Sequence, residues 1–469
     1  MQRCVTVSSA DGRAPAVQEY PRWALPGLVV SGAAGVVLSG DSARQLILAD
    51  RWALMARLAV WVVTWVVAVR CALRLPARTS VVVVLSFAAL LRMAALAGIP
   101  STSDDVYRYS WDARVQAAGI DPYRETPSSP VLAGLRESWL WPDARGCAAL
   151  DRPPGCTRIN RPDARTIYPP VAQAWFRAVY LVVGIGSHER GWQAVAGLVD
   201  LGLCWLLVVA LRAFGRDERL MALYALCPVV VLEITNNAHV DGLAIALLLA
   251  AVLAHRRDRP WLAGGLLGLA AMVKLYPAVI LPALWRRRPV AVTGAFAAVC
   301  GLAYLPHVLA VGLEVLGYLP SYLREEHYDT GSRFLLLGLL GLPGSVTTGL
   351  AVLVVAAVTA WVVWRRPPVD VGAVAVLGAL FLVATPVQPW YAVALLAVAT
   401  LAAMPWWAAV LVAGEIEFFA VILDHPHQLA LGRIAYALAA AAVAWGLAMR
   451  WRRTRGAGST VPASEGSCG

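Results

Sequence analysis

Long apolar segments follow one another along the chain, separated by short polar loops. A helix needs about 20 consecutive apolar residues to cross the hydrocarbon core of a bilayer, and most of these segments approach that length. They predict membrane helices at 24–40, 52–73, 80–99, 191–212, 219–235, 238–255, 289–311, 346–364, 371–386, 390–403, 406–423 and 429–449. Two half-length apolar pieces, 261–273 and 275–285, predict a helical hairpin with Lys274 at its outer tip.

The pattern therefore predicts an all-α, polytopic membrane protein with about 12–14 membrane helices, including short and re-entrant ones. We divide the chain into an N-terminal cytoplasmic tail at 1–22, a transmembrane domain at 23–453 and a cytoplasmic tail at 454–469. The second tail is rich in Gly, Ser and Pro, a composition typical of disorder. Within the domain, 100–190 is predicted to form a long loop with juxtamembrane helices.

Composition excludes several classes of protein. Hydrophobic residues make up 59% of the chain and charged residues only 15%, whereas a soluble domain has about 25% charged residues. A soluble enzyme, a nucleic-acid-binding protein and a disordered protein are all excluded on these grounds. The net charge of +11 is explained by arginines in cytoplasmic loops.

The distribution of arginine predicts the orientation in the membrane. Seventeen arginines fall in one set of short loops and chain ends, at 74–78, 212–219, 256–259, 286–288, 365–366 and 450–455, against five in the opposite set of short loops, the long segment 100–168 not counted. The first set is predicted to be cytoplasmic, with both termini on that side of the plasma membrane. If 169–186 crossed the membrane, every later Arg-rich loop would move outside, so we interpret it as a helix at the outer interface.

The outer segment 100–168 is too long for a simple connection and is predicted to form a folded cap. It contains nine acidic residues and nine arginines, so its charge is balanced. Cys147 and Cys156 lie within it. On an oxidising outer face these cysteines form a disulfide, the alternative being two free thiols.

An acidic pair begins the cap, in the motif SDDVYRYSWD. Two adjacent carboxylates, Asp104 and Asp105, resist double ionisation, so that one of them can act as a general base. The alternative is purely structural, because Ser103 and the two acids also suit the start of a helix.

Lys274 is the only lysine among 40 basic residues. A lysine between two apolar half-helices is costly unless it meets an anion or reaches water, so it favours either a phosphate contact or snorkelling to the interface. The motif NNAHVDG adds Asn237, His239 and Asp241, which can all hydrogen-bond a polyhydroxylated ligand. His239 and Asp241 alone are too few to predict a metal site.

Further candidates lie in outer turns. Tyr168 belongs to TIYPP, whose prolines fix a rigid turn. The motif TPVQPWY supplies Gln388, Trp390 and Tyr391, which suit stacking on a sugar ring, although an interfacial aromatic belt explains them equally well. Arg333 ends a polar outer loop. All these candidates fall on the same predicted side, which indicates one extracytoplasmic site.

The motifs SDDVYRYSWD, GIDPY, IYPP, NAHVDG, KLYP and QPWY resemble those of the GT-C superfamily of polytopic glycosyltransferases, over about residues 80–400. The sequence is most similar to bacterial mannosyltransferases that use polyprenyl-phosphate-mannose. The resemblance implies an inverting single displacement in which Asp104 or Asp105 is the general base. It also implies that a lipid-linked sugar is the donor and that a glycolipid, lipoglycan or protein is the acceptor.

The resemblance further implies roles for individual residues. It assigns donor or phosphate binding to Lys274, Arg108, Arg333 and His239, and sugar or acceptor binding to Tyr168, Asn237, Asp241, Tyr276, Gln388, Trp390 and Tyr391. No cofactor is expected, a divalent metal is left open, and the partners are membrane lipids and not nucleic acid. An envelope-polysaccharide polymerase or ligase is the alternative function, followed by a transporter, for which internal repeats of spans are missing.

Overall fold

The computed structural model describes residues 20–328, 330 and 333–458, and these residues form helices and no strands. The predicted all-α, polytopic class is thereby confirmed. Most of the predicted N-terminal tail, 1–19, and residues 459–469 of the predicted disordered tail lie outside the described residues. The last helix continues to Gly458, into the beginning of that second tail.

Eighteen α-helices are present among the described residues. They are, in chain order, α1 Ala24–Ala43, α2 Ile47–Ala72, α3 Ala77–Ala95, α4 Asp105–Ala117, α5 Ala144–Ala149, α6 Pro170–Val183, α7 His188–Ala213, α8 Ala222–Ala225, α9 Pro228–Val230, α10 Asp241–Arg256, α11 Pro260–Ala271, α12 Pro289–Val311, α13 Leu319–Glu325, α14 Gly344–Arg365, α15 Val369–Val383, α16 Pro389–Leu401, α17 Ala408–Ile422 and α18 Gln428–Gly458.

Within the described residues, eight helical stretches are long and apolar enough to cross a membrane, or nine if one sharply bent pair is counted as a span. This supports a multi-pass membrane protein. The predicted spans 371–386 and 390–403 correspond to α15 and α16, which have only 15 and 13 residues. The predicted hairpin consists of α11 and a 3₁₀ helix, Tyr276–Arg286, with Lys274 between them.

The predicted span 219–235 is not one continuous helix. Pro228 lacks the backbone N–H that a helix interior needs, and the chain there is divided into α8, α9 and a π-helical turn, Val231–Asn236. The segment 228–236 meets α10 at 114°, and Ala238 in the connection has a φ of 55°. The predicted spans 219–235 and 238–255 already separate at this connection. The sequence did not indicate the interruption at Pro228, because the residues on both sides of it are apolar. The break turns the polar residues of NNAHVDG into the protein interior.

A buried ion pair fixes the broken segment to its neighbours. Arg92 of α3 contacts Asp200 of α7 at 2.8 Å, and both side chains are almost fully buried. The same guanidinium donates to the carbonyl of Ala225 at 2.6 Å, and the hydroxyl of Tyr224 donates to Asp200 at 2.8 Å. Three elements are therefore joined through one pair of charges.

Replacing Arg92 by Met is expected to lower the melting temperature in detergent, because removing one member of a buried pair costs about 3–5 kcal/mol. The double variant Arg92→Met with Asp200→Leu should recover part of the loss, since it leaves no unpaired carboxylate. Thermal unfolding of the three proteins measures both effects. A single variant as stable as the parent would show that the pair does not stabilise the fold.

The cap lies between α3 and α6. It consists of α4, a 3₁₀ turn at Pro130–Leu135, and α5, and a disulfide joins Cys147 to Cys156 with a Cα–Cα distance of 5.8 Å. Asp121 of the cap contacts the ring of His307 in α12 at 2.7 Å. The cap is thus cross-linked internally and attached to a long helix of the transmembrane domain.

The two ends of the helices differ in charge. Arg-rich loops join α2 to α3, α7 to α8, α10 to α11, and α14 to α15. At this end the guanidinium of Arg219 donates to the carbonyl of Leu75 at 2.9 Å and that of Arg450 to the carbonyl of Ala402 at 3.1 Å. The opposite ends carry the cap and the polar motifs.

Candidate active site

The candidate site forms where five helix ends meet: the end of α3, the beginning of α4, the break before α10, the end of α11 and the beginning of α16. Side-chain amides hold the first three together. The backbone N–H of Ser101 donates to Asn236 at 2.9 Å and to Asn237 at 3.0 Å, and Asn236 donates to the carbonyl of Ala95 at 3.0 Å. These bonds fix the acidic pair relative to the broken helix.

Asp105 faces the interior of this junction, with 18% of its side chain exposed. Asn160 of the cap donates to one carboxylate oxygen at 2.7 Å, and Nδ1 of His239 lies 3.9 Å from the other. Burial pushes the pKa of Asp105 upward, but attraction to Lys274 and hydrogen bonds from Tyr168 and Asn160 hold it below its usual range. Asp105 is therefore ionised at neutral pH and able to accept a proton.

Asp104 points differently, although it is the neighbouring residue. Its carboxylate contacts Arg152 at 3.3 Å on the surface of the cap, and 47% of its side chain is exposed. Asp104 also stands at the N-terminal boundary of α4, but its side chain makes no capping hydrogen bond there. The two acids of the motif thus have separate environments.

His239, Asp241 and Lys274 continue the cluster behind Asp105. Nδ1 of His239 lies 4.0 Å from Asp241, and the ammonium of Lys274 lies 3.4 Å from the same carboxylate oxygen of Asp241. All three residues are buried. Since Asp105 and Asp241 approach one ring nitrogen from different helices, the acidic motif and the lone lysine meet in a single cluster.

Aromatic rings surround these charges. The ammonium of Lys274 lies 5.0 Å from the centroid of the Tyr168 ring and 5.1 Å from that of Tyr391, distances typical of cation–π contacts. Trp390 stacks on the ring of His239 with centroids 4.4 Å apart. The sequence motifs TIYPP and QPWY are therefore brought to the cluster by their aromatic residues.

A cavity of about 260 Å³ opens beside the cluster. Lys274, Tyr168, Tyr276, Tyr391 and Arg333 line its polar part. The remaining wall is mostly apolar, formed by Leu275, Leu319, Leu323, Leu380, Phe381 and Val387. A cavity with a cationic end and an apolar body suits a ligand that is itself half anionic and half hydrocarbon.

The segment 312–328, which we call the strap, covers this cavity on the side of the cap. Arg165 of the cap contacts Glu314 at 3.1 Å, and Arg161 pairs with Glu325. Gly317 has a φ of 53°, and a Cβ built there would lie 1.8 Å from the carbonyl oxygen of Thr166. Only glycine allows the strap and the cap to approach so closely.

Arg333 follows the strap in the sequence, and its side chain also lines the cavity. It pairs with Glu326 and donates to the carbonyl of Pro386 at 2.6 Å. Its guanidinium also lies 4.7 Å from the centroid of the Tyr328 ring. These contacts hold a second cation at the wall of the cavity.

Two of the predicted site residues, Arg108 and Asn237, have their side chains engaged by other protein groups. Arg108 pairs with Asp112 one helical turn further along α4, at 2.9 Å, and donates to the carbonyl of Ala164 at 3.0 Å. The side chain of Asn237 is occupied by the backbone of Ser101 and by Glu233. Gln388 stands at the N-terminal boundary of α16 without capping it through its side chain.

Two residues that sequence reasoning did not select also belong to the cluster. Glu233 is fully buried, accepts hydrogen bonds from Thr102 and Asn237 at 3.0 Å, and lies 3.5 Å from Nε2 of His239. The sequence signal for Glu233 was its position as an acidic residue inside an apolar run. Asn160 is one of only three asparagines in the chain, and that rarity was the signal for it.

No group of three or more His, Cys, Asp or Glu side chains in the described part of the chain has an arrangement suited to holding a metal ion.

Residues 167–386 match the profile of glycosyltransferase family 87. The matched region includes Tyr168, His239, Asp241, Lys274 and Arg333, whereas the acidic motif precedes it and QPWY follows it. This similarity supports glycosyltransferase activity. Among curated proteins and among solved structures, no match to the chain is found.

Proposed function

We propose that the protein is a membrane glycosyltransferase that transfers a hexose from a polyprenyl-phosphate-sugar to an extracytoplasmic acceptor. Mannose is the hexose that we propose. The observation that carries the proposal is the cluster in which Asp105 and Lys274 meet through His239 and Asp241, next to a cavity with apolar walls. The similarity to glycosyltransferase family 87 and the resemblance to the GT-C superfamily support the same activity.

Asp105 is the general base of the proposed reaction. As an acceptor hydroxyl attacks the anomeric carbon, its proton passes to the carboxylate of Asp105, which is ionised and partly accessible. A new carbon–oxygen bond forms on one face of the sugar while the bond to the phosphate oxygen breaks on the other. The configuration at the anomeric carbon is therefore inverted.

Lys274 stabilises the leaving group. The phosphate takes the electron pair of the broken bond, and its growing charge is met by an ammonium held in a low-dielectric pocket. Asp241 keeps Lys274 charged in this environment by pairing with it at 3.4 Å. Arg333 lines the same cavity and offers a second cation to the phosphate.

The apolar part of the cavity receives the beginning of the polyprenyl chain. Leucine side chains of the strap and of the segment after Lys274 form its walls. Burial of hydrocarbon there contributes about 25 cal/mol for each Å² removed from water, without any requirement for a particular chain length. Tyr391 and Trp390 lie between this wall and the charged cluster, where a sugar ring would stack.

The test is incubation of membranes with radiolabelled polyprenyl-phosphate-mannose. Membranes from a strain lacking the gene are compared with the parent and with the deletion strain carrying the gene on a plasmid. We expect one labelled product that disappears in the deletion and returns on complementation. Polyprenyl-phosphate-glucose and a nucleotide-linked mannose are the comparison donors.

The products distinguish the alternatives. Addition of one sugar to a defined acceptor agrees with the proposal, whereas a ladder of repeat units indicates a polymerase. Labelling from the nucleotide sugar alone, in membranes unable to make the lipid-linked donor, contradicts the proposed donor class.

A further inference from the structure

A second cavity lies at the Arg-rich ends of the helices, away from the cluster around Asp105. It has a volume of about 140 Å³. Arg286 and Arg366 line it together with Trp285, Pro282, Val362 and Val363. Two arginines from distant parts of the chain thus line one small, otherwise apolar space.

The cavity lies between the 3₁₀ helix that ends at Arg286, the beginning of α12 at Pro289 and the end of α14. Helix α15 packs against the first and the last of these elements. At Gly372 of α15, a Cβ would lie 3.2 Å from side chains of both other elements, Ala283 and Val362. Trp285 is held in place by a hydrogen bond from its Nε1 to Thr293 at 2.9 Å. The cavity is therefore part of a packed junction and not a gap between loose loops.

Acidic residues near this junction are already neutralised by other arginines. Asp258 pairs with Arg287 at 3.7 Å, and Asp370 pairs with Arg216 at 3.0 Å. In contrast, the side chains of Arg286 and Arg366 make no ion pair or hydrogen bond with any other described residue. Two cations facing a shared cavity without a carboxylate create a site for an external anion.

We propose that this cavity binds the phosphate of an anionic phospholipid in the leaflet opposite the active site. Arginine forks match the geometry of phosphate oxygens, and basic pockets between membrane helices attract anionic head groups. The valine and proline side chains of the wall accommodate the beginning of an acyl chain. A free phosphate ion would leave these apolar side chains uncovered. A lipid bound here bridges α14 and the hairpin that carries Lys274.

The experiment uses the full-length protein, purified and delipidated in detergent, with phosphatidylglycerol as the probe and phosphatidylcholine as the neutral comparison. Native mass spectrometry counts bound lipids as each is titrated. The double variant Arg286→Ala, Arg366→Ala is compared with Arg74→Ala, Arg78→Ala. This control removes the same charge from the connection between α2 and α3 and from the first turn of α3, at the same end of the helices.

We expect the parent to bind one phosphatidylglycerol more tightly than phosphatidylcholine. Each arginine near an anionic head group contributes to the free energy of lipid binding, so that loss of both should weaken the binding of phosphatidylglycerol about 30-fold. The Arg74, Arg78 control should bind as the parent does. Phosphatidylglycerol should also raise the melting temperature of the parent and of the control, but not that of the Arg286, Arg366 variant.

Several results overturn the proposal. The first is an equal loss of phosphatidylglycerol binding in the control variant. The second is equal binding of the two lipids by the parent. The third is displacement of the lipid by millimolar inorganic phosphate, which would assign the cavity to a free anion. If the double variant does not fold, Arg286→Gln alone serves as the test, with about fivefold weaker binding expected. The outcome is independent of whether the protein transfers a sugar.

Discussion

Asp105→Asn is expected to lower glycosyl transfer by about 10²–10⁴-fold, the usual contribution of a positioned general base. An asparagine keeps the size of the side chain and its contact with Asn160 but cannot accept the proton of the attacking hydroxyl. Initial rates with polyprenyl-phosphate-mannose and a membrane acceptor fraction measure the effect. The amount of folded protein should match that of the parent.

Asp104→Asn is the matched control for this variant. The change is chemically identical and one residue away, but the carboxylate of Asp104 contacts Arg152 at the surface of the cap. We expect it to retain most of the activity, because an exposed ion pair contributes only about 0–1 kcal/mol. Loss of activity in Asp104→Asn with full activity in Asp105→Asn would move the base to Asp104. Full activity in both would refute the base assignment.

Lys274→Met is expected to lower the rate of glycosyl transfer by a similar factor, because it removes the charge that stabilises the leaving phosphate. A unit charge about 4 Å from a phosphate contributes roughly 4 kcal/mol at an effective dielectric constant of 20, which corresponds to about a thousandfold in rate. Methionine has a similar length and no charge, so the cavity keeps its volume. The value of kcat/KM for the lipid-linked donor is the quantity to measure.

Two further variants separate this electrostatic role from a role in folding. Lys274→Met leaves Asp241 buried without its partner, which destabilises the fold by itself. The double variant Lys274→Met, Asp241→Asn removes both charges and should fold more stably, yet remain inactive. Lys274→Arg keeps the charge and should retain partial activity. A double variant with nearly the activity of the parent would show that the ammonium is not needed for transfer.

The parts of the site that the sequence predicts are those whose chemistry is unusual for their surroundings. Lys274 is the only lysine, and His239 and Asp241 interrupt an apolar region, so composition alone indicated them. Although these residues lie on different segments, we expect them to lie close together, because the apolar runs before them end at the same predicted face of the membrane. The structure places Nδ1 of His239 and the ammonium of Lys274 4.0 and 3.4 Å from the same carboxylate oxygen of Asp241.

Other parts of the site depend on rotation about a helix axis, which the sequence does not specify. Helix α4 begins at Asp105, and Asp104 before it has non-helical backbone angles, so that one carboxylate enters the cluster and the other contacts Arg152 at the surface. The same helix directs Arg108 to Asp112 and not to a ligand. Glu233 was missed because the sequence analysis placed it inside a continuous span and not at the polar junction before α10.

The strap determines the direction from which a substrate arrives. It contacts the cap through two ion pairs and through the close approach at Gly317, and its Leu319 and Leu323 line the cavity. Because the cavity wall is mostly apolar, we expect a long-tailed donor to enter sideways between helices while its tail stays in hydrocarbon. Supply of the donor then follows lateral diffusion within one leaflet, so that turnover scales with the mole fraction of donor among the lipids and not with its solubility in water.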